Sequence, residues 1–177
     1  MKTKKILVLF LALIYFSLTS KAQERSYGKF DFEIGLTTPI IASSIEGYNN
    51  VISPGFYLEG RYQLDSTPID LGVHIALSSV RREDTDASMF HSDYRIVPIM
   101  AVADYQFKRG GKFNPYVGVG SGVSLNTIVN EIGPESAKFI IAPRFGVRCF
   151  KFMNLGATYY ITQKEYSRLS FNLGFYF

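Results

Sequence analysis

Eight stretches of this chain repeat a two-residue period, apolar at one parity and polar, small or glycine at the other. Successive side chains of a strand point to opposite faces, so each stretch reads as a strand with one apolar face and one face that is not. Phe30, Phe32, Ile34 and Leu36 alternate with Asp31, Glu33, Gly35 and Thr37. Phe56, Leu58 and Tyr62 alternate with Tyr57, Glu59, Arg61 and Gln63, and Ile69 to Leu77 with Asp70, Gly72, His74, Ala76 and Ser78. The fourth stretch sets Val97, Ile99, Ala101, Ala103, Tyr105 and Phe107 against Pro98, Met100, Val102, Asp104 and Gln106. Pro98 withholds a ladder donor, which predicts a bulge or kink there. Val117, Val119, Val123 and Leu125 then oppose Tyr116, Gly118, Gly120, Gly122 and Ser124, and Phe139 to Cys149 oppose Ala142, Arg144, Gly146 and Arg148. Leu155 to Ile161 alternate with Asn154, Gly156, Thr158 and Tyr160, and Leu169 to Phe177 with Ser170, Asn172, Gly174 and Tyr176.

Each stretch is about ten residues, the length a tilted strand needs to cross a bilayer. Strands in lipid must close on themselves, because an open edge leaves backbone groups unpaired, and an even count closes an antiparallel sheet. The expected fold is therefore all-β, an eight-stranded antiparallel up-and-down transmembrane β-barrel. Connection lengths give a second test. Pro39 to Pro54, Ser79 to Asp93 and Asn126 to Ala137 are long, whereas Asp65 to Pro68, Lys108 to Lys112 and the turn around Lys151 to Met153 are tight. Only the compact seventh link, Thr162 to Ser167, breaks the alternation. Outer-membrane barrels segregate long external loops from short periplasmic turns in this way.

The start of the chain reads as an address. Lys2, Lys4 and Lys5 precede the apolar run Ile6 to Phe16, and a polar stretch ends at Ala22. This is the layout of a secretory signal peptide, too short to span a bilayer as a helix. Residues 1–22 are read as that signal and 23–177 as the barrel domain. Charge follows the same division. The full chain has 19 Lys+Arg and 15 Asp+Glu. Lys2, Lys4, Lys5 and Lys21 lie in the signal, which has no acid, so the remainder is balanced. The net charge of +4 therefore gives no support to a nucleic-acid partner. One cysteine excludes a disulfide framework and a multi-thiolate zinc site.

The inward parity carries Asp31, Glu33, Glu59, Arg61, Asp70, His74, Asp104, Arg144 and Arg148. Charges in a narrow enclosure must pair or reach water, and eight strands leave a bore that side chains fill. We expect a lumenal charge network of Glu33, Glu59, Arg61, Asp70, Asp104, Arg144 and Arg148 that closes the lumen, with charge reversal at Arg144 weakening heat resistance. Gly118, Gly120 and Gly122 precede no helix that would make them a phosphate loop; they are expected to make room for bulky lumenal neighbours. Aromatics at the segment ends, among them Tyr105, Phe107, Phe113, Phe150, Phe152 and Phe175, suit an interfacial girdle and suit ordinary core packing equally.

The chain resembles the small outer-membrane β-barrel domains of Gram-negative envelopes, the eight-stranded OmpA/OmpX type. The resemblance rests on Pro115-Tyr116-Val117-Gly118-Val119-Gly120, Ala142-Pro143-Arg144-Phe145-Gly146-Val147 and Asn154-Leu155-Gly156-Ala157-Thr158-Tyr159. It also rests on the closing Phe171-Asn172-Leu173-Gly174-Phe175-Tyr176-Phe177. It implies location in the outer membrane, contact with its lipid, and a C-terminal insertion signal formed by Phe171, Leu173, Phe175 and Phe177 for the barrel-assembly machinery.

Chemistry is sparse. His74 and Ser78 share the inner face with Asp70 and Glu59, but four residues of extended strand separate them by about 13 Å, too far for a nucleophile–base pair. Glu83, Asp84, Asp86, His91 and Asp93 concentrate in the third connection beside Arg81 and Arg82, where a solvated mixed-charge loop is favoured over a cation site. Cys149 is expected to face lipid near a turn as an inert hydrophobe. No cofactor and no metal is expected. The leading reading is a non-enzymatic integral outer-membrane barrel with external loops for an extracellular ligand or partner protein. The alternatives are an outer-membrane lipid-modifying enzyme, or a soluble exported barrel that binds an apolar ligand, which demands the reverse distribution of polarity.

Overall fold

The computed structural model describes residues 30–41, 54–65, 67–81, 93–128, 136–162 and 167–177. These form eight strands: β1 (Phe30–Ile41), β2 (Gly55–Gln63), β3 (Ile69–Arg81), β4 (Asp93–Gln106), β5 (Phe113–Ile128), β6 (Ser136–Cys149), β7 (Met153–Tyr160) and β8 (Arg168–Tyr176). Each pairs antiparallel with the next, and β1 pairs with β8, so the sheet is a closed barrel. The expected fold and strand order are those found. The segment read as a signal peptide lies outside the described residues, as do His91 and the acids Glu83, Asp84 and Asp86 of the third connection.

Closure is made by backbone bonds where the last strand meets the first. The Phe177 amide donates to the Phe32 carbonyl at 2.8 Å, and the Phe32 amide returns a bond to Phe177. Once around the wall the ladders shift by about ten residues, a stagger that tilts the strands as closure of eight strands requires. Strands β1, β3, β4, β5 and β6 run beyond the apolar stretches that announced them, so Pro39, Ser79, Asp93, Asn126 and Ala137 are strand residues rather than loop. The two-residue apolar signal marks only the part of a strand that must face an apolar medium, whereas ladder bonding continues past it.

Pro98 behaves differently from the expected bulge. Pairing of β3 with β4 passes from Ile75↔Ile99 to Ser78↔Ile96 in constant register, so no residue is inserted, and on the other side Pro98 pairs with Ser124 in an unbroken ladder. A missing donor interrupts the ladder locally without displacing the strand.

The three described turns lie at one end, with the first and last strand termini. The tightest joins β6 to β7. Phe152 donates its amide to the Cys149 carbonyl, and Phe150 and Lys151 between them have φ of 54° and 65°. This is a hairpin turn with two left-handed residues, the kind that Asn-Gly ordinarily fills. Holding two side-chain-bearing residues there costs about 1–2 kcal/mol each.

Candidate functional site

The wall is inverted relative to a soluble protein. Phe32, Ile34, Leu58, Leu71, Val73, Val117, Val119, Phe145, Leu155 and Phe171 are exposed, while Glu33, Glu59, Arg61, Asp70, His74, Asp104, Arg144 and Arg148 are buried. Alternation along each strand delivers this directly: the apolar parity points out and the charged parity points in. Exposed aromatics gather at the turn end. Phe150 stands edge-on to Phe113 at 5.4 Å, stacks on Phe152 at 6.3 Å, and Phe152 stacks on Phe175 at 6.3 Å. Tyr105 and Phe107 form an edge-on pair at 5.3 Å. Rings on the outer surface at one level are a girdle, and the core-packing reading of these residues falls with their exposure.

Inside, the structure brings the seven expected network residues together. Arg144 lies bidentate on Glu59, Nη1 to Oε2 at 3.0 Å and Nη2 to Oε1 at 2.8 Å. Arg61 donates to both Glu59 and Glu33, bridging the two acids. Arg148 donates to Asp70 at 2.9 Å, and Asp70 also takes Gln106 at 3.0 Å and Arg109 at 2.8 Å. Arg109 is half-exposed and also donates to the Leu64 and Ile69 carbonyls, so it caps the lumen from the turn end. Asp104 is fully buried and is held by charge rather than direct hydrogen bonds, with Arg144 Nε at 3.2 Å and Arg61 Nε at 3.7 Å. The acids and guanidiniums alternate in space, which is how buried charges are kept ionised at tolerable cost.

Several participants went unrecognised in the sequence. Tyr116 is central: Arg61, Arg144 and Arg148 lie over its ring at 6.0, 5.7 and 5.6 Å, so one aromatic ring is shared by three like charges. Room for that ring comes from two neighbouring strands. Gly146 pairs with Tyr116 and Gly156 with Gly146, and a Cβ on either glycine would come within 2.7 Å of the Tyr116 hydroxyl. Gly118 likewise admits the Asp104 carboxylate, the role expected of the lumenal glycines. Tyr57 donates to Glu33, which also accepts from Asn154 at 2.8 Å. The register between neighbouring strands carries this information; parity alone does not.

His74 is fully engaged within the network. Its Nδ1 is 2.7 Å from Glu59 and its Nε2 is 3.2 Å from the Tyr160 hydroxyl, while its ring stacks on Tyr57 at 5.3 Å. Ser78 is not its partner, and the drawn Ser/His/acid arrangement is not formed. Toward the loop end, Met100, Val102, Ile140, Ala142 and Tyr160 pack into an apolar layer across the lumen, and Arg168 lies over Tyr160 at 4.4 Å. The interior is therefore stratified, with the acid–guanidinium network below this layer and a buried Arg168 on it at the loop end; Met100, Val102 and Ala142 keep the inward parity read from the sequence. Cys149 keeps the outward parity but is buried, flanked across the ladders by Phe113 and Met153 with its thiol toward the Val147 carbonyl at 3.8 Å. The expected lipid contact of Cys149 is thus corrected: larger neighbours flank a small thiol beside the turn. Among the described residues no group of three or more His, Cys, Asp or Glu is placed to hold a metal ion.

An apolar exterior, a charged interior and a closed eight-stranded wall define a transmembrane barrel of the outer-membrane kind. Solved structures share this fold. Neisserial surface protein A aligns with 84% of this chain and 96% of its own at 14% identity and a TM-score of 0.61. The attachment invasion locus protein Ail of Yersinia pestis, in a phospholipid bilayer nanodisc, aligns with 85% of this chain and 99% of its own at 14% identity and a TM-score of 0.53. Ail in complex with the heparin analogue sucrose octasulfate gives 17% identity over 84% of this chain and 97% of that one, with a TM-score of 0.50. No protein-family model and no curated protein matches the sequence.

Proposed function

We propose that this chain is a non-enzymatic integral outer-membrane barrel of a Gram-negative envelope, with a lumen closed to solute passage and external connections that engage an extracellular ligand or partner protein. The observation that carries the reading is the stratified lumen. Paired charges below and an apolar layer of Met100, Ile140 and Tyr160 above leave these side chains essentially without solvent contact. A rigid wall with a filled bore does its work at its ends, and variation on such a scaffold is tolerated in the connections. Ail, which shares the fold, has been solved with a sulfated ligand, which supports a surface-contact role for a barrel of this size. The exposed aliphatic wall argues against a soluble barrel carrying an apolar ligand. Both ring nitrogens of His74 face Glu59 and Tyr160 rather than Ser78, so among the described residues this histidine is not paired with that serine.

In this reading Phe171, Leu173, Phe175 and Phe177 form the signal that the barrel-assembly machinery takes up. Phe171, Leu173 and Phe175 lie on the outward parity of β8, the strand that closes against β1, Phe177 follows it and bonds to Phe32, and Phe175 stacks in the aromatic girdle. Cell fractionation with detergent extraction tests the assignment, together with planar-bilayer recording on the folded chain. Recovery in the outer membrane with no step conductance is expected; a soluble periplasmic protein, or discrete ohmic openings, would overturn it.

A further inference from the structure

We propose that the cleft between the β4–β5 and β6–β7 turns seats the phosphate of an anionic phospholipid in the leaflet at the turn end, an inference that rests on the membrane reading above. The cleft, about 280 Å³, is lined by Gly110, Gly111, Lys112, Phe150 and Lys151. Its two turns are joined by a bond from the Phe150 amide to the Lys112 carbonyl at 2.8 Å, so its walls keep a fixed spacing.

Three features converge on this ligand. The first is charge. Lys112 and Lys151 line the cleft, and the Lys108 side chain lies over Gly111, its Cε 3.2 Å from where a Cβ there would stand. None of these three ammonium groups has an ion pair or hydrogen bond among the described residues, and no carboxylate lines the cleft. Arg109, in contrast, is committed to Asp70 and two carbonyls. Basic groups at a membrane surface attract anionic headgroups. The second is position. The cations meet the exposed rings of Phe113 and Phe150, from which the girdle runs through Phe152 to Phe175. Cationic groups directly beside an apolar wall match the order of phosphate and acyl chain in a phospholipid. The third is the backbone. Phe150 and Lys151 both occupy the left-handed region, where glycine or asparagine is the undemanding choice, and the two residues held there supply one ring and one ammonium to the cleft.

The test uses the full folded chain in nanodiscs of equimolar phosphatidylcholine and phosphatidylglycerol, with retained lipids identified by native mass spectrometry. Retained phosphatidylglycerol should exceed phosphatidylcholine by roughly tenfold, and Lys112→Ala with Lys151→Ala should abolish the excess. Arg95→Ala, an exposed cation on β4 near the loop end, should behave as the parent. Lys151→Gly separates a lipid role from a folding role: glycine relieves the strained turn, so heat resistance should hold or rise while the lipid excess falls. Equal retention of both lipids, an excess untouched by the lysine changes, an equal loss with Arg95→Ala, or displacement by millimolar inorganic phosphate would each overturn the assignment. A chain that fails to enter the nanodisc at all would instead refute the membrane reading.

Discussion

Replacing Arg144 with methionine keeps an unbranched stem, shortened by the guanidinium group, and removes the charge from the middle of the lumen. Two charge-assisted hydrogen bonds to Glu59 are lost, at 3.0 and 2.8 Å. At about 1.5–3 kcal/mol each they bracket a gross loss of roughly 3–6 kcal/mol. Contact with the Tyr116 ring at 5.7 Å goes with them, worth about 0.5–1 kcal/mol. Against this, Glu59 keeps Arg61 and His74, and Asp104 keeps Arg61 at 3.7 Å and Arg148 at 4.0 Å. Neither acid is orphaned, so the net loss should fall near the lower end, about 3–4 kcal/mol, within the range for breaking a buried ion pair. Urea-induced unfolding from lipid vesicles, followed by β-sheet circular dichroism and by gel mobility of unheated samples, measures it. Glu59→Gln and the double variant complete a cycle whose coupling should be about 2 kcal/mol or more. A single-variant loss under about 1 kcal/mol with no coupling would show that the lumen solvates these groups independently, and the network account would fail.

Other consequences can be checked in the same assay. Gly156→Val pushes a branched side chain toward the Tyr116 hydroxyl and should cost about 1–3 kcal/mol, most of it recovered in Gly156→Val/Tyr116→Leu; an unrecovered loss would argue for backbone strain instead. Val119→Arg places a charge on the outward face of β5 and should cost about 2–4 kcal/mol in vesicles, whereas a neutral result would mean that this position does not face hydrocarbon. Removing Phe177 deletes the two backbone bonds to Phe32, so the folded fraction should drop in cells and on refolding into vesicles; loss in cells alone would assign the residue purely to recognition by the assembly machinery.

The wall was legible in the sequence because lipid imposes a rule at every second residue. Leu71, Val73, Ile75 and Leu77 have no other reason to recur around Gly72, His74 and Ala76, so both strand count and facing follow from parity. Depth and pairing were not legible in the same way. Arg144 and Glu59 are 85 positions apart, and their meeting depends on the tilt and stagger of closure, which no single strand encodes. Tyr116 shows where more was available. Its inward parity was evident, the tight β6–β7 turn fixes Cys149 opposite Met153, and counting back along that hairpin sets Gly146 beside Gly156, the gap that the Tyr116 ring fills. The apolar layer was missed because Met100, Val102, Ile140 and Ala142 come from two strands that are not adjacent in the sheet, and only their level in the bore unites them. Pro98 misled because a lost donor was equated with a lost register, which the constant pairing of β3 with β4 shows to be separate matters.

The central claim is that odd positions of β3 face lipid and even ones face a packed interior. Nitroxide labels at single cysteines replacing Leu71, Val73, Ile75, Leu77, Ala76 and Ser78, in a Cys149→Ala background in vesicles, test this by collision with oxygen and with a water-soluble nickel chelate. The account predicts high oxygen and low nickel accessibility at the four odd positions, and restricted motion with little access to either reagent at Ala76 and Ser78. Nickel access at the odd positions, or no alternation along the strand, would contradict it.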